Sequence, residues 1–440
     1  MTSNRRGHLV GLLRAEVARN RAVLVNAGSV MSTTLVTAGL GAAFWLVAAR
    51  QFSPDAVGVA SAAVAAMTLM GYLAMVGLGT LLMGELPRRQ GHHRGLINAA
   101  LIVSGAIGTA LGLVFAIGAP VVSKELGALD ENLQAIAIFA LGVGLTAAVA
   151  VLDQSLVGLL RGGLQLTRNI VFSAVKLVIL LVFGIVLSNP NGVWIYSAWI
   201  AGIAVSLLVL IRFYARREEE DLRPRLRMLG EMRRDAASHH IFNLSIRAPD
   251  LILPLIVVSL LSAEANANFY IAWMIGSFGF MVPVSLSSVL FAVGSGDPER
   301  LSDRYRLSVG ISLVLGVLAV AIVMVAGGPI LGLFGPTYEQ NALTTLQILT
   351  LGVFPETIKA HFLSITRVER RIAQTMPLVI GGTVLEVAGA IAGALLVGLS
   401  GVAAGWLIAV CIEAAIMSRT VLRFLRLLPP RRFSLDPAAH

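Results

Sequence analysis

Long apolar runs, separated by short polar stretches, divide this chain into segments the length of a bilayer crossing. Twelve runs stand at 23–48, 56–84, 96–122, 132–153, 167–188, 192–213, 240–262, 267–292, 305–326, 341–363, 375–398 and 401–422. About 20 consecutive apolar residues cross the hydrocarbon core as a helix. The pattern therefore predicts an all-α integral membrane protein with twelve transmembrane helices. The runs at 56–84 and 267–292 exceed that length and predict helices that tilt or overhang the membrane. Gly398-Leu399-Ser400-Gly401 is the whole of the last connection. Ahead of the first run, Leu9, Leu13 and Val17 share one helical face, with Arg14 and Arg19 elsewhere. This predicts an amphipathic helix on the inner membrane surface. The first run is too long for the apolar core of a cleavable signal, and no short cleavage site follows it.

The polar stretches alternate in charge. Counting from an inside N-terminus, the inner segments hold 29 of the 34 Lys and Arg, and the outer loops hold only Arg50 and Lys124. Lys176, Arg247 and Lys359 fall within runs. Basic residues accumulate on the cytoplasmic side of membrane proteins, so the split predicts cytoplasmic termini and an even number of spans. The outer loops are short, including 123–131 and 327–340, and leave no room for an external domain. The longest connection, 214–239, is internal and rich in Arg and Glu, and it divides the runs six and six. The expected organisation is an amphipathic segment at 1–22, an N-lobe at 23–213, a basic linker at 214–239, a C-lobe at 240–422 and a cytoplasmic tail at 423–440. Transporters are often built from two related halves. Ser53-Pro54-Asp55-Ala56 and Ser262-Ala263-Glu264-Ala265 stand at matching places after runs one and seven.

Composition agrees with a lipid environment. The chain is 57% hydrophobic and 13% charged, with a mean hydropathy of +0.83, where a soluble domain is about 25% charged. The net charge of +10 comes in short clusters between apolar runs, which points away from nucleic acid. The basic residues can touch anionic lipid heads instead. Cys411, the single cysteine, excludes a disulfide framework and is expected to pack as a small hydrophobe. None of the three lysines follows a Gly-rich turn in the P-loop pattern. There is no Asp-x-Asp for a metal–nucleotide sugar, and His92-His93 and His239-His240 lack the i, i+4 spacing of a zinc site. No cofactor, metal or enzymatic site is expected.

Ionisable and polar groups inside the runs are the candidates for function, because they are costly there. In run seven Arg247 and Asp250 share a face with Asn243, and Pro249 and Pro254 can bend the helix. One reading is a cavity-lining helix whose Arg247 meets a phosphate; the other is an Arg247–Asp250 intrahelical pair. Asn26, Ser29, Thr33 and Thr37 make a polar stripe in run one, which lines a cavity or packs helices. Arg50 ends that run and gates an anion or snorkels to the interface. Glu356 and Lys359 stand at i, i+3 in run ten; Lys176 has Glu386 or Glu413 as prospective partners. Asp250 and Glu386 are the candidates for ion coupling, since coupling needs a membrane carboxylate that binds a proton or cation.

The stretch Ala49-Arg50-Gln51-Phe52-Ser53-Pro54-Asp55-Ala56-Val57-Gly58 resembles the start of polysaccharide exporters of the multidrug/oligosaccharidyl-lipid/polysaccharide (MOP) superfamily. So do Gly77-Leu78-Gly79-Thr80, Leu86-Pro87-Arg88-Arg89 and Pro249-Asp250-Leu251-Ile252-Leu253-Pro254. Phe269-Tyr270-Ile271-Ala272, Leu290-Phe291-Ala292 and Arg367 to Arg371 extend the similarity over most of the chain. The resemblance implies a MATE/MOP-like fold of two six-helix lobes around a cavity. It implies a flippase in the bacterial plasma membrane that moves a polyprenyl-diphosphate-linked oligosaccharide by alternating access, for surface polysaccharide synthesis. The implied partners are the lipid-linked oligosaccharide, membrane lipids, and a polysaccharide polymerase or glycosyltransferases. Such flippases carry several cavity cations; here only Arg247 stands in such a place, with Arg50 at the rim, and Glu85 replaces an expected base. Two alternatives carry other expectations. An ion-coupled exporter of drug-like cations in the same superfamily predicts an acidic, aromatic-lined cavity. A glycan polymerase or transferase predicts a large external loop.

Overall fold

The computed structural model describes residues 21–88, 93–187, 191–215, 223–226, 236–293 and 298–425. Within these, the side chains of 21–35, 88, 122, 213–215, 236–239, 288–293 and 298–301 stand outside the description. The amphipathic segment expected before residue 21 and most of the 214–239 linker lie outside the described residues.

The described residues form helices and no strands. In chain order these are α1 (Arg21–Gln51), α2 (Pro54–Ala74), α3 (Leu78–Glu85), α4 (His93–Val122), α5 (Leu133–Gly158), α6 (Gly162–Val186) and α7 (Gly192–Ala215). There follow α8 (Ala236–Leu260), α9 (Ala263–Val293), α10 (Pro298–Gly332), α11 (Pro336–Leu351), α12 (Val353–Val368), α13 (Ile372–Val397) and α14 (Leu399–Phe424). Among the described residues ten helices are long and apolar enough to cross a bilayer, and the bent pair α11–α12 makes an eleventh. Run one is α1, whose first half has no described side chains. The protein is a multi-pass membrane protein.

Three expected segments differ. The run 56–84 is two helices, because Val76 and Gly77 have φ of 45° and 80°, and a left-handed pair ends α2 and restarts the chain as α3. The run 341–363 bends by 41° at Gly352. The outer loop expected at 327–340 shrinks to 333–335, since α10 continues through Pro329 and α11 starts on Pro336.

The chain divides into two compact units, residues 1–267 and 268–440. In the first, α4 packs on α5, α1 on α6, α6 on α7, and α2 on α5 and α7. Helix α8 also packs on α2, inside this unit. In the second, α13 packs on α14, α10 on α11, and α14 on α12 and α11. Glycine allows the closest of these approaches. Gly389 and Gly393 of α13 lie against Gly405 and Gly401 of α14, backbone to backbone, so added Cβ atoms would collide with carbonyl oxygens. Cys411 is exposed on α14 rather than packed, because that helix buries its Gly401, Ala409 and Glu413 face instead.

The matching segments after runs one and seven cap helices in the same way. Ser53 Oγ accepts from Ala56 N–H at the start of α2, and Ser262 Oγ from Ala265 N–H at the start of α9. A second match lies at the α5–α6 and α12–α13 turns. Leu160 and Arg370 have φ of 55° and 56°. Arg161 N–H donates to Leu156 O at 2.8 Å, and Arg371 N–H to Thr366 O at 2.9 Å.

Candidate functional site

The second unit brings four charged side chains together, of which Lys359, Glu386 and Glu413 are buried and Glu356 is half-buried. Helix α12 places Glu356 and Lys359 one turn apart, α13 supplies Glu386, and α14 supplies Glu413. Lys359 Nζ donates to Glu386 Oε1, and lies 3.2 Å from Glu413 Oε2 and 3.7 Å from Glu356 Oε1. The other Glu386 oxygen accepts from Trp406 Nε1–H at 2.7 Å. Glu413 has no hydrogen bond aligned on either oxygen. Its carboxylate fits because residue 382 is glycine; a Cβ there would strike it. Trp406 is packed edge-on against Trp273 at 4.9 Å, and its ring lies over Gly352, at the α11–α12 bend.

Three carboxylates around one ammonium would leave two surplus negative charges in an apolar interior. An unpaired charge is expensive at membrane depth. The cluster can therefore take up a proton or a cation. Sequence reasoning named Glu386 for ion coupling and paired Glu356 with Lys359. It also offered Glu386 or Glu413 to Lys176; both instead meet Lys359. Periodicity shows which groups lie inside, but not which helices are neighbours. On another face of α12, toward α10, His361 is fully buried. Its Nδ1–H donates to the Thr357 carbonyl at 2.7 Å, which leaves Nε2 to accept from Ser308 O–H at 2.8 Å.

The first unit buries an ammonium of another kind. Lys176 of α6 is 2% exposed. Its Nζ lies 3.5 Å from the ring centre of Trp199 (α7), 4.5 Å from Phe172 (α6) and 4.9 Å from Phe44 (α1). Among the described residues no carboxylate stands within ion-pair distance of it. Gly202 brings α7 close, since a Cβ there would lie 2.9 Å from Lys176 Cβ. A separate pair, missed in the sequence, joins buried Arg168 to half-buried Asp153 by two hydrogen bonds of 2.9 and 2.7 Å. The signal available was Asp153, an acid at the end of run four.

The remaining candidates are not gathered at either cluster. Arg247 and Asp250 are an i, i+3 pair at 3.7 Å with side chains 64% and 43% exposed, and Asn243 is also exposed. They belong to the first unit, whereas Glu386 belongs to the second. Arg50 is exposed in the last turn of α1, and Thr37 is half-buried. The side chains of Asn26, Ser29 and Thr33 lie outside the described residues. Among those described, no group of His, Cys, Asp and Glu is arranged to hold a metal ion.

An inward-facing multidrug resistance MATE family transporter of the MOP superfamily superposes with a TM-score of 0.70 at 16% identity, over 89% of this chain and 96% of the other. The fold is that of the MATE transporters. An outward-facing multidrug resistance MATE transporter superposes with a TM-score of 0.60 at 18% identity, over 93% of this chain and 97% of the other. A MOP superfamily transporter from Pyrococcus furiosus gives 0.62 at 16% identity over the same shares; it is described as having a binding pocket of reverse polarity that suggests a different function. By sequence, a family model described as MatE matches residues 250–392. That segment of the MATE fold includes Lys359 and Glu386. No curated protein sequence matches.

Proposed function

We propose that the protein is an ion-coupled exporter of organic cations, working by alternating access in a bacterial plasma membrane with both termini in the cytoplasm. One observation carries this reading: Glu356, Glu386 and Glu413 share a single ammonium, Lys359, beneath Trp406. An acidic, aromatic-lined interior is what an exporter of drug-like cations requires, and a surplus of buried carboxylates gives a proton or cation somewhere to bind. The resemblance in fold to multidrug transporters is in keeping with it. Under this reading the chain works as a transporter, with membrane lipids as its surroundings and no catalytic step.

The second reading is the lipid-linked oligosaccharide flippase, with polysaccharide polymerase or glycosyltransferases as partners. Lys176, buried without a carboxylate, favours it, because an ammonium can hold a diphosphate. Arg247 favours it less, since Asp250 stands beside it.

The test is transport in proteoliposomes under an imposed pH gradient, with ethidium as one probe and a fluorescent polyprenyl-diphosphate oligosaccharide as the other. The exporter moves ethidium when the gradient is imposed and loses gradient-driven movement in Glu386→Gln. Head groups that cross while ethidium does not, with crossing weakened by Arg247→Ala, would establish the flippase instead.

A further inference from the structure

Lys176 and Glu386 occupy equivalent places in the two units. Lys176 stands fifteen residues after Arg161, and Glu386 fifteen after Arg371, the two arginines that follow the matching left-handed turns. Trp199 stands seven residues after Gly192, the first residue of α7, and Trp406 seven after Leu399, the first of α14. Each unit thus sets an ionisable group of one helix against a tryptophan of the next, with opposite charge. The countercharges are not repeated. Where the second unit has Lys359 and Glu413, the same register in the first has Val149 and Ser206. Lys176 therefore has no counterion by construction of the repeat.

Three aromatic faces replace the counterion. Phe44, Phe172 and Trp199 stand around Nζ as a three-ring box; Phe44 is fully buried, while Phe172 and Trp199 are half-buried. Ring faces carry negative potential, and boxes of this type are how proteins bind organic ammonium groups. The charged groups with described side chains on the helices packed around Lys176 are Arg50 on α1, Asp153 on α5, Arg168 on α6 and Arg212 on α7; the side chain of Arg21, at the start of α1, lies outside the described residues. None is within ion-pair distance of Nζ, and Asp153 is already held by Arg168. Two positive charges cannot share one box without a nearby anion.

We propose that the Phe44–Phe172–Trp199 box is a single-occupancy ammonium site, filled either by protonated Lys176 or by an organic substrate cation. When the cation enters, Lys176 gives its proton to solvent and swings out as a neutral amine, so the charge in the box stays at one. This rests on the exporter reading and adds to it a second proton-exchanging group, in the unit that lacks the carboxylate cluster.

The experiment measures binding of tetraphenylphosphonium to the full chain in nanodiscs from pH 5.5 to 8.5, together with protons released in weak buffer. One proton displaced per cation makes wild-type affinity rise with pH, by up to about tenfold per unit from this site. Lys176→Met keeps binding, with a shallower pH dependence and about one proton fewer released. Lys176→Arg, a cation that does not deprotonate in this range, binds at least about tenfold more weakly than Lys176→Met at pH 8.5, and Trp199→Leu weakens binding at every pH. The contrast between the Arg and Met variants is one that a merely structural lysine would not produce. An unchanged pH slope in Lys176→Met, or equal binding by the two variants, overturns the proposal and leaves the exporter reading standing. Binding of inorganic pyrophosphate that Lys176→Met abolishes, with no change in cation binding, overturns it in favour of an anion anchor. No cation binding by wild type at any pH overturns both.

Discussion

Lys359 is held by three carboxylates, and its removal has a calculable direction. In Lys359→Met the buried Glu386 and Glu413 and the half-buried Glu356 are left with no ammonium between them. Breaking a buried ion pair from one side costs about 3–5 kcal/mol. The defect is surplus negative charge, so it is relieved as falling pH protonates the carboxylates and is greatest at high pH. The expected result is a lower unfolding midpoint in detergent at pH 8, largely recovered at pH 5 or by adding Glu413→Gln. A midpoint deficit independent of pH would mean that Lys359 acts through packing alone. At this scale the sequence named all four residues, because a charge inside an apolar run stands out. It failed on partnership: Lys176 was offered Glu386 or Glu413, and its real surroundings are Trp199, Phe172 and Phe44. An aromatic box assembled from three helices shows in spacing only as Phe172 and Lys176 at i, i+4 on α6.

Helices were legible as apolar runs, and their interruptions were not. Val76-Gly77 and Gly352 break or bend runs without lowering hydropathy, because glycine and valine are as compatible with lipid as their neighbours. Gly352 also supports the charge cluster. A Cβ there would meet the Trp406 ring, whose indole N–H holds Glu386. Gly352→Ala is therefore expected to cost about 1–3 kcal/mol by overpacking, and to change tryptophan fluorescence. In a Trp406→Phe background the smaller ring leaves room, and the cost of Gly352→Ala falls. Equal costs in the two backgrounds, read from a double-mutant cycle, would place the strain in the backbone bend instead.

Across the whole molecule, the apolar runs were enough to identify a helical membrane bundle, while its internal repeat showed only in the Ser53–Ala56 and Ser262–Ala265 match and not in the register of Lys176 and Glu386. The reason is connector length: Lys176 and Trp199 are 23 residues apart, Glu386 and Trp406 only 20, because one connection runs from Leu187 to Asn191 and the other is Gly398 alone. Register counted from helix starts aligns them, and those starts are visible only in the fold. Orientation rests on the 29-to-2 division of basic residues, which makes a prediction that the single cysteine renders easy to test. In a Cys411→Ser background, cysteines placed at Lys124 and Arg371 occupy exposed turns that the charge rule assigns to opposite sides. A membrane-impermeant maleimide should label Lys124→Cys in intact cells, and Arg371→Cys only after permeabilisation. The reverse pattern would turn the molecule over and make its arginine clusters external. Labelling of both from outside would require one crossing more or fewer between them, and the bent pair α11–α12, which precedes Arg371, would then enter and leave by the same face.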